Sequence, residues 1–156
     1  MRLRSSYLVK ATPDRVFAYL SDPRNAMRDG SRTTVDLIRP ADSDDGIGAT
    51  YQVTVAQSNT SAQGVWQVEY LEFERPVRLV TRTSGDLAQG TTLATYRLEP
   101  HLNGARVHTE TEFHLGVLRT LSTYVKVATG QSRRTLEAGH ERMAQAIEDW
   151  ARQHPT

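Results

Sequence analysis

Apolar positions along the chain follow two periods, one after the other. Tyr51, Val53 and Val55, then Trp66, Val68 and Tyr70, then Val107, Thr109, Thr111 and Phe113 alternate with polar neighbours. A period of two puts successive side chains on opposite faces of a strand. On that pattern strands are predicted at 3–10, 32–39, 49–57, 64–73, 77–84, 90–99 and 105–115. The connections SNTSAQ, ERP, GDLAQ and PHLNG are short and rich in turn residues, which favours antiparallel neighbours. From Val117 to Arg152 the spacing changes to three and four, through Leu118, Leu121, Val125, Ala128, Ser132, Leu136, Gly139, Met143, Ile147 and Trp150. That is one face of a long helix. Glu148 and Arg152 are spaced on it for an ion pair with the acid first, the favourable order.

Residues 10–26, KATPDRVFAYLSDPRNA, interrupt the strands with two helix starts. Thr12 precedes Pro13, so its hydroxyl can accept an orphan backbone N–H while proline occupies the first helical position. Val16, Phe17 and Leu20 then form a single apolar face about two turns long. Pro23 forces Asp22 into the extended geometry of an N-cap. A second short helix is predicted there, with Met27 as its contact and Gly30 as its stop. Helices this short are marginal alone, so a larger element must hold them.

The order of strand, helix corner, six strands and long helix predicts an α+β fold, a curved seven-stranded antiparallel sheet covered by the C-terminal helix. With 156 residues, one domain spanning 1–156 is expected. Net charge is +1, with both signs dispersed along the chain. That argues against a nucleic-acid partner. There is no cysteine, so disulfides and thiolate chemistry are excluded. The opening MRLRSSYLVKA has no apolar signal core, and no stretch is long and apolar enough to span a membrane. A cytoplasmic protein is the expectation.

Three segments carry a resemblance. Ala11, Val16, Phe17, Leu20, Asp22 and Pro23 sit at the spacing of a signature near the start of START-like proteins. WQVEYLEFERPVRLV is an aromatic-rich strand running into a proline, and Gly104 to Val107 (GARV) leads into the last strand. The chain resembles the START-like superfamily, and within it the polyketide cyclase/dehydrase and lipid-transport group, also called SRPBCC. The resemblance implies a helix-grip fold, with a cavity between the wrapped sheet and the terminal helix. It also implies an apolar ligand: a lipid, a polyketide-like compound or another hydrophobic or aromatic metabolite. An aromatase/cyclase or dehydratase of the same fold is the alternative it carries. A protein-interaction module using the sheet exterior or a loop is the alternative from another class.

Given such a cavity, the strand phases put Tyr51, Trp66, Tyr70, Tyr96, Thr109, Thr111 and Phe113 on its sheet wall, with hydroxyls from Thr81 and Thr83. Aromatic walls with a few hydroxyls suit a mostly apolar pocket that orients an oxygenated ligand. The helix stripe puts Val125, Ser132, Leu136, Gly139, His140 and Met143 opposite. Ser132 and Gly139 are its small members, so the helix should stand off from the sheet there.

His140 is the candidate for proton transfer, because an imidazole titrates near neutral pH. His108, Glu110, Glu112 and His114 alternate along one strand and have the chemistry of metal ligands. Ligands spread along one strand do not converge on one ion, and Val107, Thr109, Thr111 and Phe113 claim the apolar face. No metal is expected there, and Arg82 and Arg97 are expected outside. No phosphate loop, dinucleotide fingerprint, zinc helix or Ser-His-Asp order is present. Hence no cofactor is expected, and binding is favoured over catalysis.

Overall fold

The computed structural model describes residues 2–26, 32–42, 46–56, 63–85, 90–115 and 131–155. Strand β1 (Arg2–Val9) is followed by α1 (Pro13–Leu20) and α2 (Pro23–Ala26). Then come β2 (Arg32–Arg39), β3 (Thr50–Ala56), β4 (Gln63–Glu74), β5 (Arg78–Gly85), β6 (Gly90–His101), β7 (Gly104–Leu115) and helix α3 (Gln131–Gln153). The strands form one seven-stranded antiparallel sheet in the order β1-β7-β6-β5-β4-β3-β2. The sheet is curved, and the first strand closes onto the last. Strand limits fall within two residues of those predicted. The predicted helix positions before Gln131, and the Met27 and Gly30 contacts of the second helix, lie outside the described residues.

Alternation divides the charges from the apolar groups. Across β1, β7, β6 and β5 one register row reads Ser5, Thr109, Tyr96 and Leu79, and the adjacent row reads Arg4, Glu110, Thr95 and Val80. Every Arg, Asp and Glu of the seven strands falls on the second phase, which is the convex face. There Arg4 Nε donates to Glu110 at 2.7 Å and Arg82 pairs with Glu69 at 2.5 Å. The concave face therefore carries no strand charge among the described residues. One irregularity matters: the register shifts between Tyr70 and Glu72. The bulge brings Phe73, like Tyr70, to the concave side, where strict alternation would have turned it outward.

The packed core gathers at one end. Val9, Val16, Phe17, Leu79, Val107 and Ile147 are each 1 % exposed or less. Phe17 of α1 meets Phe73 edge-on at 5.0 Å, and Tyr19 meets Trp150 of α3 at 5.8 Å. Arg15 donates to the carbonyls of Ala151 and His154 at the end of α3. The helix corner thus joins the sheet end to the terminal helix. Gly104 has φ of 140° and a Cβ there would collide with the Val9 carbonyl, so the start of the last strand requires glycine.

Two local expectations are corrected. The Thr12 side chain makes no capping bond; its backbone carbonyl accepts the N–H groups of Arg15 and Val16 at 3.0 Å. Glu148 does not pair with Arg152: it accepts the Lys10 N–H at 2.9 Å, and Arg152 pairs with Asp149. Asp22 does cap α2, accepting the Arg24 N–H at 3.0 Å.

Candidate functional site: the concave face of the sheet

Beyond the packed end, the concave face changes character. Tyr7, Trp66, Val68, Thr83, Thr92, Ala94, Tyr96, Thr109, Thr111 and Phe113 share the inward phase with the core, yet all are only half-buried. Inward-facing side chains that keep accessible surface are what a cavity wall requires. On α3, a Cβ built at Gly139 would meet nothing within 4 Å. His140 and Ile147, seven residues apart, share one helix face. Ile147 is sealed in the core, whereas His140 and Met143 are half-buried.

His140 is held from two sides. Its Nε2 lies 3.1 Å from Ser5 Oγ, and Ser5 Oγ lies 2.6 Å from Thr109 Oγ1. Its ring stacks on Tyr7, centroids 4.8 Å apart and planes 16° from parallel. Burial pushes the imidazole below its ordinary value, with Glu137 opposing the shift. The neutral ring is favoured, able to accept a proton at one nitrogen and donate from the other.

The tyrosines fall into two groups. Tyr70 is 2 % exposed and its hydroxyl donates to the Ser21 carbonyl at 2.8 Å, so it ties the sheet to the helix corner. Its place is in the core, with Tyr51 edge-on to it at 5.9 Å. Burial pushes the hydroxyls of Tyr70, Tyr7 and Tyr96 all up, and on Tyr7 the nearby Tyr96 adds to the effect; Tyr7 and Tyr96 differ from Tyr70 in their partners. Among the described residues neither hydroxyl makes a hydrogen bond.

Of the positions expected on the cavity, Tyr96, Thr109 and His140 come together in one arc with Ser5 and Tyr7. Thr111, Phe113 and Trp66 lie farther along the same face. Val125 lies outside the described residues, and Ser132 and Leu136 are described as helical backbone only. Ser5 and Tyr7 are the residues the sequence reading missed. Their signal was the alternation Leu3, Ser5, Tyr7, Val9, which acquires meaning only when β1 is paired with β7.

The four residues with ligand chemistry on β7 lie on the convex face. Glu110 is paired with Arg2 and Arg4, Glu112 with Arg2, and His108 Nε2 is 3.1 Å from Glu99. No group that could hold a metal ion occurs among the described residues. None of the described helices is long and apolar enough to cross a membrane.

No curated protein matches the chain in sequence. Solved structures do match its fold. Ara h 8.0201 superposes with a TM-score of 0.70 at 11 % identity, covering 99 % of both chains. A protein from Rhodobacter sphaeroides gives 0.69 at 18 % identity, covering 99 % of this chain and 93 % of that one. One from Arthrobacter aurescens, solved by NMR in solution, gives 0.66 at 16 %, covering 95 % and 86 %. Likeness at these identities concerns the fold. The family model described as polyketide cyclase / dehydrase and lipid transport matches residues 1–148, nearly the whole helix-grip architecture described above. The chain belongs to the polyketide cyclase/dehydrase and lipid-transport family, of SRPBCC type.

Proposed function

We propose that this protein binds a hydrophobic or aromatic small molecule between the concave face of the sheet and α3, and carries it within the cytoplasm. The observation that supports this most is the split of the inward face. Its residues are sealed near α1 and at Thr81 and Val53, whereas Tyr96, Ala94, Thr111 and Phe113 are half-buried. Apolar surface left accessible on an inward face is costly at about 25 cal/mol per Å². A ligand that covers it recovers that free energy. Family membership agrees with the reading, since lipid transport is part of the family's description.

The test is native mass spectrometry of the freshly purified protein, together with titration by the neutral apolar dye Nile red. The expected results are a co-purified apolar molecule at one per chain and saturable dye binding displaced by it. A ligand-free protein that also leaves the dye in water would refute the reading.

A second reading, an aromatase/cyclase or dehydratase, is favoured by one observation: Ser5 and Tyr7 hold a neutral His140 on the inward face. A positioned neutral imidazole can move protons on a bound poly-ketone. Loss of a measured turnover in His140→Phe with ligand binding retained would establish it.

A further inference from the structure

We propose that the ligand of this cavity is uncharged and carries a hydrogen-bond-accepting oxygen, a carbonyl above all, that docks on the hydroxyls of Tyr7 and Tyr96 beside His140. This rests on the concave-face binding proposed above and says what chemistry that face selects.

Three observations converge on it. The first is which groups lack partners. Tyr70 and Tyr19 donate to the carbonyls of Ser21 and Asn25 at 2.8 and 3.0 Å. Ser5 and Thr109 bond each other, and Ser5 also engages His140 Nε2. Among the described residues, the Tyr7 hydroxyl, the Tyr96 hydroxyl and His140 Nδ1 are left without a hydrogen bond. A phenol hydroxyl without a partner in the protein is free to donate to a ligand.

The second is their arrangement. Tyr96 stands across from Thr109, and Thr109 across from Ser5, in one register row. Ser5 bonds His140, and His140 stacks on Tyr7. The unpartnered donors therefore sit on one continuous arc, and the two phenols are close enough for Tyr96 to disfavour ionisation of Tyr7. A tyrosine hydroxyl is protonated at physiological pH, and burial only reinforces this, so both are donors there.

The third is the missing charge. No Arg or Lys of the strands lies on the concave phase among the described residues. A carboxylate or phosphate brought here would find no counter-ion on the described strands, and burying a charge without one is strongly unfavourable. A neutral carbonyl needs only donors, and donors are what this arc presents.

The experiment compares three probes of one shape: acetylnaphthalene, ethylnaphthalene and naphthoate. Affinity is measured for the wild type, Tyr7→Phe, Tyr96→Phe and the double variant. Wild-type protein is expected to bind the ketone about tenfold more tightly than the ethyl compound, the effect of one to two net hydrogen bonds. Naphthoate should bind most weakly. The double variant should hold the two neutral probes equally, with an unfolding midpoint no lower than that of the wild type, because the hydroxyls that tell the probes apart are gone while no hydrogen bond within the protein is removed. Equal affinities for ketone and ethyl compound in the wild type, or a ketone preference that survives the double variant, would overturn the docking proposal while leaving the cavity in place. Tightest binding by naphthoate would overturn its neutrality. Failure of all three probes to bind would remove the cavity itself, and this inference with it.

Discussion

His140 lies flat against Tyr7, with ring centroids 4.8 Å apart. The contact joins residues 133 positions apart in the chain and fixes the helix against the first strand. It also excludes water from one face of the imidazole, and burial depresses its proton affinity against the opposing effect of Glu137.

That depression gives a pH signature. The folded protein binds fewer protons at His140 than the unfolded chain does just below the ordinary value of about 6.5, so stability falls on acidification through that window. The contribution is present above the unfolded value and lost as pH falls through the folded one. His140→Phe keeps a ring on Tyr7 and removes the titration. Its urea midpoint should fall less than that of the wild type between about pH 7 and pH 5. A wild-type midpoint that falls less than the variant's would mean the imidazole is stabilised in its charged form.

Tyr70→Phe should behave unlike Tyr96→Phe. Removing the Tyr70 hydroxyl leaves the Ser21 carbonyl without its donor at the buried junction of β4 and α1. A cost of about 1 to 3 kcal/mol is expected by denaturant unfolding, with affinity for a neutral apolar dye unchanged. Unchanged stability would show that the hydroxyl does not tie the corner.

Much of this was legible from alternation alone. Strand limits, the inward phase of Tyr51, Trp66 and Tyr96, and the outward phase of Arg82 and Arg97 all follow from a period of two. The bulge after Tyr70 was not legible, because one inserted residue leaves no trace in composition while reversing the phase of everything after it. Phe73 accordingly reads as outward in the sequence and is inward in the fold, where it packs edge-on to Tyr70 at 5.8 Å and makes that tyrosine part of the core. Ser5 was hidden for a different reason. Its partners are Thr109 and His140, and neither proximity exists until the first strand pairs with the last. Glu148 shows the same limit: local helix spacing suggested Arg152, but the backbone N–H of Lys10 across the fold takes it.

Gly139 offers a gain of stability. It sits inside α3 and a Cβ would meet nothing within 4 Å. Gly139→Ala should raise unfolding free energy by about 0.5 to 1 kcal/mol, because glycine forfeits more backbone freedom than alanine in a helix. A loss of stability would mean the helix is packed tightly at that position.

The cavity itself is tested most directly at Ala94. It lies in the middle of the concave face, across from Thr81 and Thr111, and is half-buried. In Ala94→Trp the indole should fill the space between sheet and α3, abolishing Nile red binding while the unfolding midpoint stays level or rises. Both quantities are read on the one protein. A loss of about 1 to 3 kcal/mol, the cost of forcing a large side chain into a filled core, or dye binding equal to that of the wild type, would contradict a ligand cavity on this face.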